Sequence, residues 1–182
     1  MFRRSRNAGN RLPAKATERQ DPPSAARPAR PFEIETLEPR ILLSATPFVW
    51  AAPSTISQTL ELAVVDVLGV PTIQLSDAGG SLQQQAVADT SLVDITLSDR
   101  GDRITIASDF SGIAPVSILG AAGVDTIVGP EGGHAFAISA AGGAVAGVVF
   151  SGVEAVRGGG GDDTFAVAAG GALPAVDGGA GV

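Results

Sequence analysis

Nine residues near the end of the chain constrain its fold more than any other stretch: Gly158-Gly159-Gly160-Gly161-Asp162-Asp163-Thr164-Phe165-Ala166. Glycine at this density rules out a stable helix, because each one costs about 1 kcal/mol there relative to alanine. It suits a tight turn, where backbone angles with φ above zero carry no steric penalty. The unit reads Gly-Gly-x-Gly-x-Asp-x-U-x, in which the large apolar residue U starts a short strand and points into a core. Gly120-Ala121-Ala122-Gly123-Val124-Asp125-Thr126-Ile127-Val128 fits with alanine in place of the second glycine. Gly178-Gly179-Ala180-Gly181-Val182 opens another copy, and the chain stops one residue before the expected aspartate. Residues 98–106 read as an eroded copy, with Arg103 where the aspartate belongs. A repeated turn-plus-strand unit predicts an all-β fold, a parallel β-helix or β-roll-like solenoid.

Composition agrees. Of the 182 residues 45% are hydrophobic but only 4% aromatic, and 24 are glycine. A core of Ala, Val, Ile and Leu cut by frequent glycine favours thin, tightly turned β structure over helices. With no cysteine there are no disulfides or thiolate zinc sites, and a single histidine, His134, removes most histidine-based metal or triad chemistry.

The net charge of −7 conceals two opposite regions. Residues 1–40 hold nine Lys/Arg and five Asp/Glu, whereas the remaining 142 hold three arginines (Arg100, Arg103, Arg157) and fourteen acids. So acidic a body repels phosphates, which argues against nucleic-acid binding, and attracts divalent cations.

Four segments follow from the texture. Residues 1–31 are basic, proline-rich and unpatterned, a disordered leader. Residues 32–52 contain an apolar stretch of about 12 residues, too short for the roughly 20 that span a bilayer. The pattern leaves open whether that stretch is the h-region of a signal peptide, cleaved near Ala51-Ala52. Residues 60–112 form a β-rich segment, with strand-like runs at 60–68, 92–97 and 103–107, and Gln83-Gln84-Gln85 reads as a loop or a strand edge. Residues 113–182 are the Gly-Asp repeat solenoid, truncated at its C-terminus.

Leu37-Glu38-Pro39-Arg40-Ile41-Leu42-Leu43-Ser44-Ala45 resembles the LEPR-XLL motif, with Ile41 in the variable position. The resemblance implies a sorting segment near the start of a large, repetitive bacterial protein that is exported or displayed at the cell surface. Such proteins often carry basic leaders and glycine-aspartate repeats.

In the repeat itself, aspartate offers a hard carboxylate oxygen suited to Ca²⁺, which takes 6–8 oxygen ligands, and glycine lets carbonyls approach an ion. The nonapeptides resemble hemolysin-type repeats of the repeats-in-toxin family, in which an ion lies between loops stacked on one side of a β-roll. That resemblance makes calcium the expected cofactor and Gly158, Gly159, Gly161, Asp162, Asp163, Gly120, Gly123 and Asp125 the metal-site candidates. Two nonapeptides per coil would bring same-side loops round every 18 residues. The starts at Gly158 and Gly178, 20 apart, then stack with a small insertion. The 38 residues from Gly120 to Gly158 make about two coils, with a degenerate one at residues 140–150.

Other motifs carry less. His134 has no matched nucleophile, Arg100-Gly101-Asp102 is a three-residue chance match to an integrin-binding tripeptide, and 158–161 lacks the Lys-Ser/Thr of a phosphate loop. The reading is a non-enzymatic, adhesin-like structural fragment, secreted or at the cell surface, facing surface or matrix ligands and not transmembrane. Its alternatives are a delivery segment for an enzyme beyond residue 182 and a parallel β-helix enzyme acting on polysaccharide. Three basic residues after position 40 are few for that enzyme's cleft.

Overall fold

The computed structural model describes residues 45–169 and 175–181. Contacts separate Met1–Arg40 from Ile41–Val182. The first unit lies outside the described residues, as do the leader and residues 32–44 of the sorting-like segment.

The described part of the second unit is all-β, with fourteen strands in two mixed seven-stranded sheets. The chain alternates between the sheets. β1 (Thr46–Ala51) lies in the first and β2 (Thr59–Val67) in the second, where β3 (Val70–Asp77) and β4 (Gly80–Ala86) extend it as antiparallel hairpins. A single 3-10 turn (Val87–Asp89) then leads to β5 (Thr90–Thr96), parallel to β1. β6 (Arg103–Ile106) pairs with β2, β7 (Val116–Leu119) with β5, and β8 (Thr126–Val128) with β6, all parallel. Three strands follow in the first sheet: β9 (Ala135–Ser139), β10 (Gly142–Val145) and β11 (Val148–Ser151), the last parallel to β7. β12 (Ala155–Arg157) joins β8, β13 (Thr164–Val167) joins β9, and β14 (Ala175–Asp177) joins β12.

Alternation of side chains decides which face is buried. Val93 and Ile95 of β5 and Val116 and Ile118 of β7 are buried, while Leu92, Asp94, Ser117 and Leu119 point outward. Ile104 and Ile127, which pair across β6 and β8, are completely buried. Each such isoleucine contributes about 1.5–3 kcal/mol relative to an exposed one. Phe48, Phe110, Phe136 and Phe150 fill the remaining space between the sheets. A sequence poor in aromatics therefore spends most of its phenylalanines in this core.

The ordered body begins before residue 60. Residues 46–51, within the apolar stretch considered as a signal-peptide end, form β1, and its Phe48 is fully buried. The β5–β7 ladder also crosses the expected boundary at 112/113, so the two predicted segments share both sheets. Gln83-Gln84-Gln85 lie in the edge strand β4. Gln85 Nε2 donates to the Thr46 and Asp89 carbonyls, at 2.8 and 2.9 Å, and ties that edge to the start of β1. A polar edge of this kind discourages pairing with another sheet.

Residues 140–150 do not make a degenerate two-sheet coil. They contribute to the antiparallel strands β10 and β11, both in the first sheet. Gly142 and Gly143 allow this because the Phe150 carbonyl and ring pack where a Cβ would stand at either position. The first sheet therefore gains two strands between β11 and β13 that the second sheet lacks between β12 and β14.

Candidate functional site

The repeats become the turns between the sheets, and the turns fall into two stacks. Chain leaving the first sheet passes through residues 97–102, 120–125 and 152–154, and chain leaving the second passes through 129–134 and 158–163. Gly120 and Gly158 thus stand in different stacks, and their 38-residue separation is not a same-side step. Gly120 stacks instead on Gly152, with its N–H bonded to the Ser151 carbonyl at 2.8 Å.

In the first stack each carboxylate reaches back to the preceding turn. Glu154 Oε2 accepts the Asp125 N–H at 2.9 Å, Asp125 Oδ1 accepts the Asp102 N–H at 2.8 Å, and Asp102 Oδ1 accepts the Gln58 N–H at 2.5 Å. The second oxygen of Asp102 accepts the Ser98 N–H at 2.5 Å. Asp102 and Asp125 are 2% and 0% exposed, so these bonds satisfy N–H groups that would otherwise be buried without a partner.

This register corrects the eroded copy. Arg103 pairs with Thr126, so the residue matching Asp125 is Asp102, and the copy begins at Leu97, one residue earlier than the expected Ser98. Arg103 is a strand residue. Glu154 was missed by sequence reasoning because its turn has three residues where the preceding one has six. Glutamate's extra methylene lengthens the side chain in the shorter turn.

The second stack contains a further repeat that departs from the glycine-aspartate pattern at two positions. The His134 N–H donates to Asp163 Oδ1 at 2.9 Å, and Thr164 pairs with Ala135. Phe165 stacks on Phe136 with ring centroids 4.6 Å apart. Residues 129–137 are therefore in register with 158–166, and His134 occupies the aspartate position. Pro130 and His134 had masked the copy, and Gly129, Gly132, Gly133 and Phe136 were its remaining signal. Gly178 stacks on Gly158: the Gly158 N–H bonds the Asp177 carbonyl at 2.8 Å and the Ala180 N–H bonds the Gly159 carbonyl at 2.9 Å.

Asp125 and Asp163 share one geometry. Each has one oxygen capping the coil before it, and the other, Oδ2, is buried without a hydrogen-bond partner. The first glycine of each motif makes the room. A Cβ on Gly158 would collide with Asp163 Oδ2, and one on Gly120 would lie 2.9 Å from Asp125 Oδ2. Burial pushes the Asp125 carboxyl up to about 6, the Asp102 N–H bond opposes that, and the Asp102 and Glu154 carboxylates add to it.

An orphaned buried carboxylate oxygen beside glycine carbonyls fits a hard cation or a proton. Among the described residues no three acidic or histidine side chains converge to hold a metal. A cation at either turn would thus draw on one aspartate and mainly on backbone oxygens, among them the Gly158, Gly159 and Gly178 carbonyls that crowd the 158–179 stack. Gly161 and Gly123 adopt left-handed backbone, with φ of 86° and 116°, as the turn requires. Asp162 is exposed on the rim.

The remaining motifs gain no chemistry. Asp102 of Arg100-Gly101-Asp102 is buried and fully bonded, so that tripeptide is not displayed. His134 Nε2 lies 3.1 Å from the Glu131 carbonyl. Among the described residues no helix is long and apolar enough to cross a membrane. No protein-family model, curated protein or solved structure matches this chain.

Proposed function

We propose that the chain is a structural module of an exported or cell-surface repeat protein: a non-enzymatic β-solenoid scaffold whose turn aspartates serve stacking first and calcium second. The observation that carries this reading is the carboxylate ladder from Gln58 through Asp102 and Asp125 to Glu154, which commits the motif aspartate to the backbone of the neighbouring coil. The solenoid is supported by the parallel runs β1-β5-β7-β11 and β2-β6-β8-β12-β14, which the chain builds by alternating between sheets. Export and surface display rest on the resemblance of residues 37–45 to a sorting motif. An adhesin-like role toward surface or matrix ligands extends that resemblance. Calcium, where bound, would be held by Asp163 or Asp125 with turn carbonyls and would neutralise a buried carboxylate.

The test is a calcium titration of the 182-residue chain after chelation, followed by circular dichroism and binding heat. The expected result is a β spectrum and cooperative unfolding already present in chelator, with binding heat lost in Asp163→Asn. A chain that is unfolded in chelator and folds only with calcium would overturn the priority of stacking. No heat at millimolar calcium would remove the ion from the proposal and leave the scaffold.

A further inference from the structure

Asp177 is the one aspartate in the chain that is followed by glycine. Its side chain is 64% exposed, with Oδ1 accepting the Gly179 N–H at 3.0 Å and Oδ2 3.3 Å from Arg157 Nε. The carboxyl group is thereby folded back along the chain that follows it. Gly178 has open space where a Cβ would stand. Since the Asp177 carbonyl accepts the Gly158 N–H, alternation along β14 turns the Gly178 N–H toward the sheet edge that no described strand covers.

The ladder aspartates differ in each respect. Asp102, Asp125 and Asp163 precede Arg103, Thr126 and Thr164, whose N–H groups are bonded to the Gln58, Asp102 and His134 carbonyls at 2.9, 2.8 and 2.9 Å. A bonded amide beside a substituted α-carbon cannot swing onto the neighbouring carboxyl carbon. Among the described residues the Gly178 amide is held by neither.

We propose that Asp177-Gly178 is a site of spontaneous isomerisation to isoaspartate, and that Arg157 restrains it. The Gly178 nitrogen loses its proton to solvent and attacks Asp177 Cγ. A carboxyl oxygen leaves as water, and the new N–Cγ bond closes a succinimide. Water then adds to the ring carbonyl derived from the original peptide bond and breaks its C–N bond, so the main chain runs on through Cγ. One water is lost and one regained, nothing is oxidised, and the mass is unchanged. The pairing with Arg157 at 3.3 Å holds the carboxyl in place, away from the approach of the Gly178 nitrogen. Isomerisation puts an extra methylene into the backbone at the end of β14. That shift breaks the Gly158–Asp177 bond and lifts the turn at 178–181 off the turn at 158–161.

The test ages the purified chain for weeks at neutral pH and physiological temperature. A glutamate-specific protease that cuts after Glu154 then releases residues 155–182 for chromatography, mass spectrometry and isoaspartyl methyltransferase labelling. The expected result is a second peak of identical mass that accepts the label. It should be suppressed several-fold in Gly178→Ala, which the open space accommodates, and accelerated several-fold in Arg157→Ala. A single unlabelled peak, or an unchanged rate in Gly178→Ala, would overturn the site. An unchanged rate in Arg157→Ala would overturn the restraint.

Discussion

Asp102→Ala removes the acceptor for two N–H groups, those of Gln58 and Ser98, in a pocket where the side chain is 2% exposed. Each N–H left buried without a partner costs about 1–3 kcal/mol. Removing a carboxylate that faces Asp125 returns part of this, so the net loss should be about 3 kcal/mol. For a chain of this size that corresponds to a fall in Tm of about 6–12 °C. Urea unfolding followed by the fluorescence of Trp50 measures it, since this single tryptophan sits in β1 against the core. The comparison is Glu154→Ala, which removes one bond from an exposed carboxylate and should cost about 1 kcal/mol. If Asp102→Ala lies within about 0.5 kcal/mol of the parent at unchanged m-value, or matches Glu154→Ala, the turns are not held by carboxylates reaching back one coil.

Three further outcomes are expected. Asp125 has its carboxyl raised to about 6, against about 3.9 in an unfolded chain, so the folded protein holds that proton more tightly. Its contribution to stability is therefore full below about pH 4 and is lost as the pH rises through about 6. Asp125→Asn should flatten the pH profile in that window, measured in chelator. Gly158→Ala places a Cβ against Asp163 Oδ2 and the Gly178 carbonyl, and should loosen the last coil selectively. Limited proteolysis should then cut near 158–181 while hydrogen exchange in β2 and β6 stays as in the parent; uniform loosening would contradict this. Leu68 stands 99% exposed with φ of 55°, beside Gly69 at 84°, in the turn joining β2 to β3. Leu68→Asn should stabilise the chain by about 1 kcal/mol in urea unfolding, because asparagine tolerates that primed turn better than leucine.

The sequence by itself determined that this chain builds β structure from short strands and glycine-aspartate turns. Those features are local. Alternation in Asp94-Ile95-Thr96-Leu97 sets one buried face, and glycine at 158–161 admits a tight turn whatever surrounds it. The 20-residue step from Gly158 to Gly178 was also readable, since the two turns are joined by one strand in each sheet. Tertiary structure decided which turns share a side. The β9–β10 hairpin adds strands without changing sheets, and so defeats counting from Gly120 to Gly158. Stacking also placed Asp102 and Glu154 at positions equivalent to Asp125 although their turns differ in length and composition. A backbone N–H in one coil selects any acceptor that reaches it from the next, and reach depends on how the coils pack. The aspartate in the motif was legible from the pattern, but its bond to the neighbouring turn exists only once the two sheets bring the turns together.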